Sequence, residues 1–289
     1  MQRTEDFVGE IAQRVAIAVA PNGGRRIKVD HPAIPLTTKE LAATAAACLE
    51  AGAAMIHCHV RDAEGRHILD ADAYRDAISA IRRAVGERMV IQITTEAVGR
   101  YAPAEQMEAV RAVRPEAASL ALRELVPDAS HEEEFSRFLS FMRSENIAPQ
   151  IILYHPEEAE QLKGMMARGL IPFPEIPVLY VLGRYTEGQR SNPADLLPFL
   201  DSTMPKFGHF MVCAFGQRET ACVAASALLG GHARVGFENN LHLTDGSLAP
   251  DNTAIVAGAA QALATLGLKP QDADGLRADW GLGSPARGR

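Results

Sequence analysis

The chain lacks the marks of several protein classes. It carries four cysteines in 289 residues, Cys48, Cys58, Cys213 and Cys222, far apart and with no C-x-x-C pair. Such spacing supports no disulfide framework and suits a reducing cytoplasm. No Lys/Arg-rich run is present and the formal net charge is −7, which argues against a nucleic-acid surface. No apolar stretch approaches the roughly 20 residues needed to span a bilayer, and the opening M-Q-R-T-E-D-F has no signal-peptide pattern. No G-x-G-x-x-G follows the first apolar run; Asn22-Gly23-Gly24 is only a short glycine loop. No linker, low-complexity tract or repeat divides the chain. The expectation is a cytoplasmic protein with no nucleic-acid or membrane partner.

What is present is an alternating pattern in a chain of ordinary globular composition, 47% hydrophobic and 22% charged. Short apolar runs at 14–20, 53–60, 89–95, 117–122, 150–155, 177–183, 209–214 and 232–238 read as strands. Helical patterns follow them, the first capped by Thr37 with Glu40 three residues later, the others near 72–85, 103–113, 132–144, 157–168, 193–202, 219–230 and 252–266. Runs apolar on both faces belong in a parallel sheet, and strict alternation in βαβ units. Eight such units in about 250 residues predict a closed (β/α)8 TIM barrel, a single domain over 1–289. The barrel spans about 14–268, and the Gly-rich tail, about 269–289, reads as an arm or partly disordered extension.

The second strand, A-A-M-I-H-C-H-V, ends in His57-Cys58-His59. Residues two apart on a strand share a face, so the two imidazoles project together from backbone positions about 7 Å apart. Neutral imidazole is the commonest metal ligand. In such barrels the chemistry lies at the C-terminal ends of the strands. Those ends carry Asn22 and Arg25-Arg26, Thr94-Thr95-Glu96, Ser119 with Arg123-Glu124, His155, Arg184, and Glu238-Asn239-Asn240. Strand eight closes the barrel against strand one, and strand two lies just beyond. Glu238 is therefore the expected third ligand, and two histidines plus a carboxylate leave a metal one open position. His155 reads as a further ligand, a base or a strand-end histidine. Arg234 shares the side of Glu238 and needs either a carboxylate or a substrate anion.

Residues 33–62, A-I-P-L-T-T-K-E-L-A-A-T-A-A-A-C-L-E-A-G-A-A-M-I-H-C-H-V-R-D, resemble the N-terminal signature of the β-keto acid cleavage enzymes, the family that includes the 3-keto-5-aminohexanoate cleavage proteins. Residues 230–240, G-G-H-A-R-V-G-F-E-N-N, resemble its C-terminal signature. The resemblance runs over about 14–268. It implies a TIM barrel assembled as a homotetramer and a divalent metal, usually zinc, on His57, His59 and Glu238. It also implies a transferase reaction in which a β-keto acid and acetyl-CoA give acetoacetate and a new acyl-CoA. The family's serine after strand three corresponds to Thr94, its hydroxyl residue on strand four to Ser119, and its catalytic arginine to Arg234. Thr94 and Ser119 are then expected to hold the substrate carboxylate.

Three positions depart from the family's pattern. Asn239 stands where the family has an aspartate active in proton transfer; an amide cannot be that base, although it could still hold Arg234 by a hydrogen bond. The proton would then pass to His155, Glu96 or a metal-bound hydroxide. Gln150 replaces an acidic residue, and Arg25 replaces a glutamate linked to a substrate amino group. All three changes remove negative charge, so the expected substrate is an acidic or neutral β-keto acid rather than an amino one. Rival readings are an amidohydrolase-like enzyme, which would need histidines on strands five and six, a metal-binding barrel that has lost the reaction, and a lyase that does not use CoA.

Overall fold

The computed structural model describes residues 14–282. Eight parallel strands close on themselves in sequence order: β1 Ile17–Val19, β2 Met55–Cys58, β3 Val90–Thr94, β4 Ala117–Ala121, β5 Ala148–Leu153, β6 Val178–Leu182, β7 Phe210–Ala214 and β8 His232–Val235. The seam pairs Arg234 of β8 with Ala18 of β1. Every strand residue is buried apart from the half-buried Ile152, as expected of a sheet covered inside by its own side chains and outside by helices. This is the barrel that the alternation predicts.

The helices form where the local chemistry starts them. In α1 (Thr38–Glu50) the Thr37 hydroxyl accepts from Glu40 N while the Glu40 carboxylate accepts from Thr37 N, the reciprocal capping box. Asp70 caps α2 (Ala71–Val85), and Asp251 caps α8 (Asn252–Thr265). Pro103 and Pro156 open α3 (Pro103–Val113) and α5 (Pro156–Ala167), where a missing N–H costs nothing. Between these come α4 (Glu132–Ser144) and α7 (Glu219–Leu228). The helix expected at 193–202 shrinks to a 3-10 turn, Pro193–Leu196, and one α turn, α6 (Leu197–Leu200). Pro198 lacks the N–H that a longer helix would need.

The tail corrects the expectation of an arm. Lys269–Pro270 pair with Arg14–Val15, and α9 (Ala273–Asp279) lies across the lower end of the barrel. Leu276 and Trp280 join the interior residues Ala16, Met55, Val90, Ala117, Ala148, Leu179 and Met211 in one apolar cluster. Arg277, 2% exposed, pairs through Nε with Glu116 Oε1 at 2.6 Å and donates to the Glu87 and Met89 carbonyls. Residues 283–289, part of the expected tail, lie outside the described residues. No described helix is long and apolar enough to cross a membrane.

Candidate metal centre and its cavity

Strand alternation aims His57 of β2 inward, opposite Gln92 of β3. His59 lies just past the end of β2, where Asn22 grips its backbone: Asn22 Nδ2 donates to His59 O at 2.8 Å, and His59 N donates to Asn22 Oδ1 at 3.3 Å. Glu238 follows β8, its N–H donating to Ala20 O at 3.0 Å. The segment leaving β1 thus ties down both neighbouring strands. Gly23 there has φ +61°, and a Cβ on it would stand 2.6 Å from Glu238 Cγ. The glycine loop of the sequence is required by this close approach.

Three donor atoms meet. His57 Nε2 and His59 Nε2 are 3.1 Å apart, and Glu238 Oε2 is 3.5 Å and 3.4 Å from them. Donors about 2.1 Å from a tetrahedral ion stand about 3.4 Å from one another. Glu238 Oε2 is buried and has no hydrogen-bond partner, while Oε1 meets Arg234 Nη2 at 2.5 Å. His57 Nδ1 lies 2.7 Å from Gln92 Oε1. An amide oxygen only accepts, so the ring proton sits on Nδ1 and the Nε2 lone pair faces the centre. Burial, reinforced by Arg234, holds the His57 imidazolium well below its ordinary range. Burial alone would raise the Glu238 carboxyl, but Arg234 and the two imidazoles hold it well below the usual carboxylate range. Neutral imidazoles and a carboxylate are the forms that bind metal, and the three residues fit a divalent cation.

Above this centre is a small cavity lined by Arg25, Arg26, Arg184 and Arg234 on the basic side and Glu96 and Glu238 on the acidic side, with Thr94, Cys213 and Asn239. Arg25 and Arg184 each stand 3.9 Å from Glu96 Oε1. Thr94 Oγ1 accepts from Glu96 N at 3.0 Å. Arg234 is buried with Nε unpartnered, so it both pairs with Glu238 and retains a free donor. Asn239 is 1% exposed, and neither amide atom has a partner. The expected hydrogen bond from Asn239 to Arg234 is therefore not formed. Burial pushes the Cys213 thiol up to about 12, which leaves it no role as a thiolate near neutrality.

Other candidates sit apart. Ser119 is opposite Thr94 in register, with a buried and unpartnered Oγ, but it does not line the cavity. Gln150 is one inward position below Ile152, fully buried, and accepts from Gln92 Nε2 at 3.0 Å. Its contact is with the partner of a metal-ligand candidate rather than with the cavity. His155 is exposed at the start of α5 and stacks near Tyr185. Among the described residues the one metal-competent cluster is His57, His59 and Glu238, so the histidines that an amidohydrolase-like centre needs on strands five and six are not assembled. Sequence reasoning passed over Gln92, and placed Asn22 on the rim without its grip on the His59 backbone. A lone amide inside the apolar run M-V-I-Q-I-T-T was the available signal for Gln92.

The chain is similar to known proteins over most of its length. Residues 14–282 match the family model described as beta-keto acid cleavage enzyme. The chain is 27% identical over 249 residues to a 3-keto-5-aminohexanoate cleavage enzyme of Fusobacterium nucleatum, covering 84% of this chain and 89% of that protein. It is 28% identical over 294 residues to a 3-oxoadipate:acetyl-CoA acetyltransferase of Cupriavidus necator, covering 93% and 100%. The solved structure of ObcA superposes with a TM-score of 0.69 at 15% identity, covering 87% of this chain and 66% of ObcA, a likeness of fold. The matched span takes in all eight strands and the three-donor centre between β2 and β8, and the chain belongs to the β-keto acid cleavage enzyme family.

Proposed function

We propose that the chain uses a divalent cation, zinc being the expected one, on His57, His59 and Glu238 to convert an acidic or neutral β-keto acid and acetyl-CoA into acetoacetate and a new acyl-CoA. The observation that carries this reading is the set of three converging donors 3.1–3.5 Å apart, facing a cavity walled by four arginines. When bound, the cation supplies a Lewis acid for a ketone oxygen. Arg234, with its free Nε, and the Thr94 hydroxyl are placed to hold the substrate carboxylate. A proton leaves the carbon between the two carbonyl groups, and that carbon attacks the acetyl thioester. The thiolate released from the acetyl group attacks the keto carbon, the original carbon–carbon bond breaks to give the new thioester, and the carbon left behind regains the proton as acetoacetate.

Asn239 cannot accept that proton, and His155 lies outside the cavity. Glu96 lines it, is not a ligand candidate, and stands 3.8 Å from His59 Nδ1. Glu96 is the proton acceptor in this reading. Four guanidinium groups against two carboxylates favour a substrate with a second anion, and the relative from Cupriavidus necator, named for 3-oxoadipate, points the same way.

Zinc-reconstituted protein should release acetoacetate from acetyl-CoA with a dicarboxylic β-keto acid, more slowly with a neutral one, and least with an amino one. Glu96→Gln should lower kcat by about 100-fold or more while metal content stays at the wild-type level. Cleavage without acetyl-CoA, or no acetoacetate from any class, would overturn the reading.

A further inference from the structure

The cavity over the three donors has a volume of about 150 Å3, room for a small keto acid but not for a whole acyl-CoA. A larger cavity of about 620 Å3 adjoins it. The two share Arg26, Gln189 and Asn239 as lining residues, so they lie side by side. Strand residues and the loops next to them wall the smaller compartment. The larger is walled by the segments after β6 and β7, including Arg190, Gly216 and Arg218, and by the stretch after Asn239.

The larger compartment is basic. Arg26, Arg190 and Arg218 line it and no carboxylate does. Among the described residues none of the three forms an ion pair, and Arg26 spends one donor on the Phe237 carbonyl at 2.5 Å. The nearest buried acid, Glu219, is turned away: its carboxylate accepts from Gly236 N at 3.1 Å and Asn240 Nδ2 at 3.2 Å. Unpaired guanidinium groups around a polar void are suited to phosphate, which they grip with paired N–H donors.

Asn239 supplies an independent sign of a ligand. It stands where the two compartments meet, is 1% exposed, and leaves both a donor and an acceptor unmet. A buried amide in that state costs about 1–3 kcal/mol unless a partner arrives. A secondary amide of a passing chain offers the matching acceptor and donor.

Building on the function proposed above, we infer that the larger compartment binds the phosphate-bearing end of the acyl-CoA. Arg26, Arg190 and Arg218 meet its phosphates, and the amide-containing arm runs past Asn239 and Gln189 to deliver the thioester over the three donors. Asn239 thus acts at the neck of the cleft, on the carrier arm, while Arg190 and Arg218 read its nucleotide end.

Calorimetry of the full-length protein with CoA and with adenosine 3′,5′-bisphosphate tests this directly, because neither measurement needs turnover. The wild type should bind both, and Arg190→Ala/Arg218→Ala should bind both about tenfold or more weakly. Thermal unfolding of the variant checks that it is folded; both side chains are exposed. In turnover, the same variant should raise the KM for acetyl-CoA by a similar factor and narrow the preference for acetyl-CoA over acetyl-pantetheine. Absence of bisphosphate binding by the wild type, or equal binding by the variant, overturns the assignment. If acetoacetate is never released while bisphosphate binding is present and sensitive to the arginines, the catalytic reading fails and the cleft stands. If release proceeds while the arginine variants leave KM and binding unmoved, the cleft fails and the catalytic reading stands.

Discussion

Gln92 Oε1 lies 2.7 Å from His57 Nδ1, and that contact decides which ring nitrogen faces the centre. Gln92 is held in turn by Gln150, whose own amide reaches toward the Met211 sulfur at 3.9 Å. A buried chain of amides therefore orients one ligand candidate from inside the barrel. Gln92→Leu keeps the volume but frees the ring, and should lower metal affinity by about tenfold to a hundredfold. Competition against a chromophoric chelator measures it. Unchanged affinity would show that packing alone orients His57.

Arg25 has a side chain 62% exposed and stands 3.9 Å from Glu96 at the cavity edge. Replacing it by glutamate changes the local charge by two units without touching the three donors. Arg25→Glu should reduce kcat/KM for a dicarboxylic β-keto acid by about two- to threefold and raise it for an amino one, a modest change because solvent screens a charge this exposed. The ratio of the two values is the measurement, and a ratio equal to that of the wild type would refute the charge argument.

Glu219 is fully buried, and burial pushes its carboxyl up to about 8 despite two hydrogen bonds. Its folded-state pKa thus exceeds the unfolded value, so between about pH 4.5 and 8 the native state keeps a proton that the unfolded chain has released. Stability then falls as pH rises, by up to about 1.4 kcal/mol per unit in that window. Glu219→Gln cannot titrate. Urea denaturation at a series of pH values should show the variant gaining on the wild type from pH 5 to 8. Parallel curves would place the Glu219 pKa near its ordinary value.

Arg277 joins the floor helix to Glu116, and Glu116 retains Arg82 as a second partner at 2.9 Å. Arg277→Ala removes a buried cation and leaves the Glu87 carbonyl short of a donor, while Met89 O keeps Arg82 Nη1 at 3.2 Å. The expected loss is about 2–3 kcal/mol, read as a lower denaturation midpoint. Metal affinity should not change, because the floor and the three-donor centre are at opposite ends of the strands.

The contrast between α9 and the donor triad shows what was legible in the chain. His57 and His59 are two residues apart and Glu238 ends a strand that the barrel's closure must bring near them, so periodicity and topology sufficed. The floor helix looked like a Gly-rich tail because the partners that tie Arg277 to the barrel, Glu116 and Glu87, are 161 and 190 residues away in sequence, and no local pattern encodes them. Pro198 did carry a local signal that the sixth helix would be short. The freedom of the Asn239 amide was not legible. Residue type suggested a bond to Arg234, and only the arrangement of both backbones shows that the two groups are left apart.

The helix across the barrel's lower end packs on the interior residues there, while the cavity over the three donors lies at the rim, at the opposite end of the strands. If the keto acid seats against the strands and the acyl-CoA over the loops, as proposed above, the keto acid should bind first and leave last, an order that product-inhibition kinetics would reveal.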